Sequence, residues 1–318
     1  MSLKIAGLGK GIPKRRVTND ELSDFLDTSD EWIVTRTGIK SRHVCTDENL
    51  TGLASDAALQ AIENSGLSSG DIDLIMCSTI GGDFRTPSLA CCVAERLGAE
   101  CPAFDINAAC SGFIYALEIA SGFLAAGKAE NILIVCAEMM STQMDWNDRN
   151  TCVLFGDGAA ACVAVKGSAL KYVDLFATAN TSVLNLPTGT GNSPWAATKR
   201  ENGFLHMNGQ EVFKFAVGII ESGIKKALGA LKMPLEQIDL FLLHQANKRI
   251  IDFARTKLRQ PEEKFPVNID KYGNLSSVSI PLMLLDMLED GAIKPGDTLF
   301  MSAFGAGLTA GSCIMVWE

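Results

Sequence analysis

The chain repeats part of itself. Residues 56–67 (Asp-Ala-Ala-Leu-Gln-Ala-Ile-Glu-Asn-Ser-Gly-Leu), followed by Asp71-Ile-Asp-Leu-Ile-Met76, lie over residues 222–233 (Ser-Gly-Ile-Lys-Lys-Ala-Leu-Gly-Ala-Leu-Lys-Met), followed by Gln237-Ile-Asp-Leu-Phe-Leu242, at an offset of 166. A second echo, Phe155-Gly-Asp-Gly158 against Phe304-Gly-Ala-Gly307, comes at an offset of 149, which leaves about 17 extra residues between the landmarks in the first half. One short echo arises by chance. Two in the same order imply a duplicated unit, in which each copy buries its apolar face with the help of the other. The halves meet near 166–175, and we divide the chain into 1–170 and 171–318.

Each copy runs from a helical stretch into a short apolar strand, and the alternation continues along the chain. Strands are expected at 72–79, 132–137, 159–165, 238–243, 298–303 and 312–317, and helices at 53–65, 89–97, 113–126, 211–231, 247–258 and 278–289. This is the pattern of an α/β protein. With 318 residues, 47% of them hydrophobic and 20% charged, there is ample core for two such units. In parallel sheets ligands gather beyond the carboxyl ends of strands, so matching strand ends are expected to converge on one site.

Several function classes drop out. The longest apolar stretch, 112–127, is interrupted by Glu118 and Ser121 and falls short of a membrane span, so it reads as a buried helix and no membrane insertion is expected. The first sixteen residues hold scattered glycines and basic residues in place of an apolar run with a cleavage site, which predicts no secretory leader. None of the ten cysteines forms a CxxC pair and most sit in apolar runs, as reduced thiols of a cytoplasmic protein do. His43, His206 and His244 lack metal-ligand spacing, so no metal is expected. A net charge of −9 argues against a nucleic-acid partner.

The candidate chemistry starts at Cys110, in Asp105-Ile-Asn-Ala-Ala-Cys110-Ser-Gly-Phe113, where an extended approach gives way to small residues and then to the helical pattern 113–126. A thiol there sits at a helix N-terminus, whose free N–H groups and dipole favour the nucleophilic thiolate. Most cysteines are small buried hydrophobes, so Cys110 gains meaning from its company. His244 ends the strand 238–243 and opens a helix, and Asn274 lies in the glycine-held turn Asp270-Lys-Tyr-Gly-Asn274. Alone, one reads as a satisfied histidine and the other as a turn former; with Cys110 they make a Cys/His/Asn constellation. A basic run begins beside His244: Lys248, Arg249, Arg255, Lys257 and Arg259 against Asp252 alone. Such runs are mostly solvated faces, but in an acidic chain, with Lys214 able to join it, this one is expected to dock an acidic partner.

Six motifs carry a resemblance. Trp32-Ile-Val-Thr-Arg-Thr-Gly-Ile39, Ala108-Ala-Cys-Ser-Gly112, Phe155-Gly-Asp-Gly-Ala159, His244-Gln-Ala-Asn-Lys-Arg-Ile250, Tyr272-Gly-Asn-Leu-Ser276 and Phe304-Gly-Ala-Gly307 stand in the order seen in β-ketoacyl-[acyl carrier protein] synthase III, and the likeness runs from Ile5 to Trp317. The resemblance implies a thiolase-like fold of duplicated α/β units in five layers, α-β-α-β-α, and a homodimer. It implies that Cys110 takes the acyl group of a short acyl-CoA, with the backbone N–H groups of Cys110 and Ala306 as oxyanion hole. His244 and Asn274 then stabilise the carbanion left when malonyl-[acyl carrier protein] loses carbon dioxide. Acyl-CoA is a substrate, and no cofactor is implied. For CoA the resemblance points to Trp32, Arg36, Arg149 and Asn247, for the carrier protein to Lys214, Gln245, Lys248 and Arg249, and for the acyl pocket to Ile80, Thr86, Phe155, Leu205 and Met207.

The chain departs from the family where substrate choice is made. Thr86 stands where many members place a phenylalanine that reaches the partner subunit's pocket, so a longer or branched starter is expected to fit. Ala306 replaces a usual glycine, and Leu308-Thr-Ala310 a commoner Phe-Thr-Trp. The other readings are a paralogue making a quinolone or polyketide precursor, with malonyl-CoA as extender, and a silent acyl-CoA or carrier-binding subunit, against which the intact Cys/His/Asn set argues. A degradative thiolase is disfavoured, because its second-step cysteine has no counterpart in the Phe304-Gly-Ala-Gly307 loop.

Overall fold

The computed structural model describes residues 2–191 and 194–318. Nine strands build its two large sheets: β1 (Ser2–Gly11), β2 (Leu74–Ser78), β3 (Ala103–Ile106), β4 (Asn131–Met139), β5 (Asp157–Gly167), β6 (Leu170–Ala177), β7 (Leu240–Leu243), β8 (Thr298–Gly305) and β9 (Thr309–Val316). The first sheet runs β1-β5-β4-β2-β3 and the second β6-β9-β8-β7. Pairing repeats as well: β1/β5 and β5/β4 are antiparallel, as are β6/β9 and β9/β8, while β4/β2 and β8/β7 are parallel. The sheets are therefore mixed, not parallel as the alternation suggested. Among the described residues only the first has a fifth strand, β3, parallel to β2. The extra length of the first half lies in the β4–β5 connection, residues 140–156, where β8–β9 needs only 306–308.

The principal helices are α1 (Asp30–Thr37), α2 (Leu50–Ser65), α3 (Leu89–Leu97), α4 (Gly112–Ala125), α5 (Gly209–Leu231), α6 (Lys248–Leu258) and α7 (Ser279–Glu289). Alternation along the strands sorts them into layers. In β4, Ile132, Ile134 and Cys136 face a central core with α4 and α7, while Leu133, Val135 and Ala137 face α2 and α3. In the second sheet Leu240 and Leu242 join the same central core, and Phe241 and Leu243 pack outward on α5 and α6. The order is α2/α3, sheet, α4/α7, sheet, α5/α6, the five-layered thiolase-like fold. Strands buried on both faces read as continuous apolar runs, which is why β4 was visible in sequence. The edge strands β1 and β6 were not, because lysine, glycine and aspartate interrupt them.

The outer helices have ordinary starts: Asn49, Ser88, Asn208 and Asn247 each accept a backbone N–H through the side chain. The two central helices do not. Neither α4 nor α7 has a side-chain cap, and each is entered through one tight turn, Ala109–Ser111 and Ser276–Val278. Their sides are buried in apolar core, where removing one Leu or Ile side chain costs about 2–5 kcal/mol, so the helices stay fixed while their first turns are free for chemistry.

Candidate active site

The turn into α4 presents Cys110. The Asn107 Oδ1 accepts the Ala109 N–H at 3.2 Å, and Ala109 adopts φ +46°, a left-handed conformation that costs a residue with a Cβ about 1 kcal/mol or more. Ser111 Oγ lies within hydrogen-bond distance of the Ala108 carbonyl, at 2.7 Å, and of Thr309 Oγ1, at 2.8 Å, tying the turn to the other half. From that half Gly305, at the end of β8, comes so close that a Cβ on it would stand 2.6 Å from the Cys110 nitrogen.

Burial pushes the Cys110 thiol up to about 12; Glu138 adds to the shift and the Ser276 hydroxyl opposes it. This corrects the expectation of a resting thiolate. The helix end is there, but loss of water around the sulfur outweighs it.

His244 follows β7 directly and lies before α6 rather than opening it, with its N–H donating to the Ser302 carbonyl at 2.9 Å. The residue is 1% exposed, its ring stands edge-on to Phe304 at 5.3 Å, and burial holds its pKa down to about 3. Among the described residues nothing bonds its Nδ1. The imidazole is neutral at physiological pH, as the resemblance requires.

Asn274 follows Gly273, whose φ is +71° and on which a Cβ would stand 2.9 Å from the Leu154 carbonyl oxygen, leaving no room for a side chain. Its backbone bonds to Leu154 and Gly156 at 2.8 and 3.2 Å. Its Oδ1 accepts the Ser276 N–H at 2.9 Å, which leaves the amide Nδ2 as the donor for a ligand.

Cys110, His244, Asn274 and Ala306 line one cavity of about 360 Å³. Ile80, Phe155, Leu205 and Met207 line it too, as expected, but Thr86 does not; it is exposed, beside Phe84, which is 58% exposed. Sequence reasoning missed Leu184, Leu186, Val212, Phe213 and Phe215 on the cavity wall. The apolar face at the start of the 211–231 helix was the available signal.

Outside the cavity lining, the Arg36 and Arg149 guanidinium carbons lie over the Trp32 ring at 4.5 and 5.0 Å. Asn247 caps α6 through Oδ1 and donates Nδ2 to the Arg36 carbonyl at 3.0 Å, so it braces α1 against α6. Phe213 of α5 meets Phe253 of α6 edge-on at 5.9 Å, which sets side by side the helices bearing Lys214 and Arg249, both exposed. Lys248 is paired with Asp252 at 2.8 Å. Gln245 must be withdrawn as a docking residue. It is 1% exposed, with Nε2 on the Leu243 carbonyl and Oε1 on the Asn268 N–H, because a residue next to an inward strand end turns into the core.

Two family models match the chain: 3-Oxoacyl-[acyl-carrier-protein (ACP)] synthase III over residues 104–179, and 3-Oxoacyl-[acyl-carrier-protein (ACP)] synthase III C terminal over residues 228–317. The chain is 43% identical over 327 aligned residues to the Beta-ketoacyl-[acyl-carrier-protein] synthase III of Clostridium perfringens, with 98% of each covered. The crystal structure of 3-oxoacyl-[acyl-carrier-protein] synthase III from Aquifex aeolicus matches with TM-score 0.92 at 42% identity, over 99% of this chain and 100% of that one. That of the enzyme of the same name from Pseudomonas aeruginosa matches with TM-score 0.93 at 34% identity, over 100% and 99%.

Proposed function

This chain belongs to the β-ketoacyl-[acyl-carrier-protein] synthase III family, and from that premise we propose that it joins a short acyl-CoA to malonyl-[acyl carrier protein] by decarboxylative Claisen condensation, the opening step of a fatty acid chain. The observation that carries this is the convergence on one cavity of a thiol from the first half and two neutral hydrogen-bond donors from the second. The first half, 1–170, supplies the nucleophile; the second, 171–318, supplies His244 and Asn274.

Cys110 attacks the thioester carbon, and CoA leaves as the acyl-enzyme forms. The oxyanion takes hydrogen bonds from the N–H groups of Cys110 and Ala306, neither of which, among the described residues, is spent on a backbone carbonyl. Thr309 Oγ1 holds the Ala306 carbonyl at 2.9 Å, which fixes that peptide. Malonyl-carrier then loses carbon dioxide, and negative charge gathers on its thioester oxygen. Neutral His244 and the Asn274 amide donate to that oxygen without protonating the carbanion, which attacks the acyl-Cys110 carbonyl. No step changes an oxidation state, so the reaction calls for no redox cofactor and acyl-CoA enters only as substrate.

Trp32, Arg36 and Arg149 offer CoA a stacking face and charge for its phosphates. The acidic carrier docks on Lys214 and Arg249. The exposed Phe84–Thr86 stretch faces a second subunit in a homodimer, and the small Thr86 leaves that pocket room for a longer or branched starter. Among the described residues no helix is long and apolar enough to cross a membrane, and the reaction takes place in the cytoplasm. The named relatives do not favour the quinolone or polyketide paralogue. Incubating the protein with malonyl-carrier and acyl-CoAs from acetyl to octanoyl, branched forms included, yields 3-oxoacyl-carrier by mass spectrometry; absence of product across the whole set overturns the assignment. Arg249→Glu raises the apparent KM for malonyl-carrier at least tenfold at low salt, at about 1.4 kcal/mol per tenfold, and an unchanged KM removes the docking surface.

A further inference from the structure

A buried carboxylate behind the cavity has no part in the chemistry above. Glu138, on β4, has no exposed surface, and among the described residues no Lys, Arg or His is paired with it. Its Oε1 accepts the Ser276 hydroxyl at 3.0 Å and the Ser277 hydroxyl at 3.4 Å, and its Oε2 accepts the Ile80 N–H at 3.1 Å. Ser276 lines the cavity with Cys110, and its hydroxyl acts on the sulfur in the direction that favours the thiolate. The three elements stack in order: β4, the turn at Ser276, the turn at Cys110. The titratable groups that feel Glu138 are Cys110 and Cys136, both thiols held protonated by burial.

We propose that Glu138 accepts the Cys110 proton through the Ser276 hydroxyl. The inference rests on the acyl-enzyme reading. The resting thiol must shed a proton as the sulfur attacks, and His244 in its dry site is too weak a base to take it. Burial raises the Glu138 carboxyl to about 7, near the working pH of a general base. In the step, the Cys110 S–H bond breaks as a Ser276 O–H bond forms, and the Ser276 O–H that pointed at Glu138 breaks as Glu138 gains a proton. The sulfur electron pair forms the new C–S bond. When the C–S bond to CoA breaks, the departing thiolate takes the proton back along the same path, and Glu138 is again ionised.

The test separates two half-reactions: acylation of Cys110 by acetyl-CoA, followed by rapid quench and intact mass across the pH range, and release of carbon dioxide from malonyl-carrier. For Glu138→Gln and for Ser276→Ala, acylation falls about 10²-fold and loses its pH limb near neutrality, while decarboxylation stays within about threefold, because His244 and Asn274 are untouched. Equal loss in both half-reactions would show a purely structural carboxylate, and unchanged acylation would remove it from the reaction; either result overturns the proposal. Should Glu138→Gln fail to fold, Ser276→Ala carries the same two readings. No acylation of the wild type would instead overturn the function itself.

Discussion

The turns that open the two central helices are built alike and do different work. In residues 107–111 and 274–278, an offset of 167, an asparagine Oδ1 accepts the N–H two residues on, at 3.2 and 2.9 Å. The residue that donates is left-handed in both, Ala109 at φ +46° and Ser276 at +52°, and a single turn of 3-10 helix leads into an uncapped helix. The next position is Cys110 in one and Ser277 in the other. The first turn puts a thiol in the cavity and spends its asparagine on holding the backbone. The second puts its asparagine's amide in the cavity, while its two serine hydroxyls point back to Glu138. Duplication supplied one device for projecting a side chain between the sheets, and a change of single residues gave it a nucleophile on one side and a hydrogen-bond donor on the other.

Replacing the nucleophile separates the turns most sharply. Cys110→Ala should cut acylation by at least about 10³-fold while malonyl-carrier is still decarboxylated, read as carbon dioxide release; loss of both would deny the division of labour. Next comes the asparagine pair. Asn274→Ala should lower decarboxylation about 10²–10³-fold, whereas Asn107→Ala should cost about 1 kcal/mol in denaturant unfolding and about tenfold or less in rate. Equal losses in decarboxylation would mean the two asparagines are not distinct.

A smaller effect is expected at the contact between halves. Gly305→Ala forces a Cβ to within 2.6 Å of the Cys110 nitrogen and should destabilise by about 1–3 kcal/mol, slowing acylation before decarboxylation. Gly229→Ala, exposed on α5 with nothing within 4 Å of its would-be Cβ, should raise stability by about 0.5–1 kcal/mol. Last, the decarboxylation rate should stay flat through neutral pH, because His244 is neutral far above its pKa of about 3. Its folded pKa lies below the unfolded value of 6.5, so the unfolded chain binds more protons between them, and this contribution to stability is full above 6.5 and lost as pH falls toward 3. Glu138 works the other way: raised from 4.5 to about 7, it withdraws stability as pH rises through that window. Urea midpoints of His244→Asn and Glu138→Gln against pH should resolve the two slopes; slopes of the same sign would contradict these environments.

The duplication was legible because α2 with β2 and α5 with β7 keep similar apolar spacing at offset 166. The echo at 167 was not, since Asn107-Ala-Ala-Cys and Asn274-Leu-Ser-Ser share one residue and the likeness lies in backbone dihedrals. Cys110, His244 and Asn274 could be named because motif order fixes which residues meet. Their electrostatics could not, because a helix end is visible in sequence and the water excluded by Gly305 and Ser276 from the other half is not. Gln245 failed for a related reason: contiguity with the basic run suggested a surface, and the strand end turned it inward. Glu138 was one acid among many until the Ile80 N–H and the two hydroxyls of the Ser276–Val278 turn closed on it.

The most direct test of the account is intact-mass analysis of the protein after exposure to short acyl-CoAs, beside Cys110→Ala. The account predicts one acyl group added to the wild type and none to the variant. An unlabelled wild type, or a variant labelled to the same extent, would contradict it.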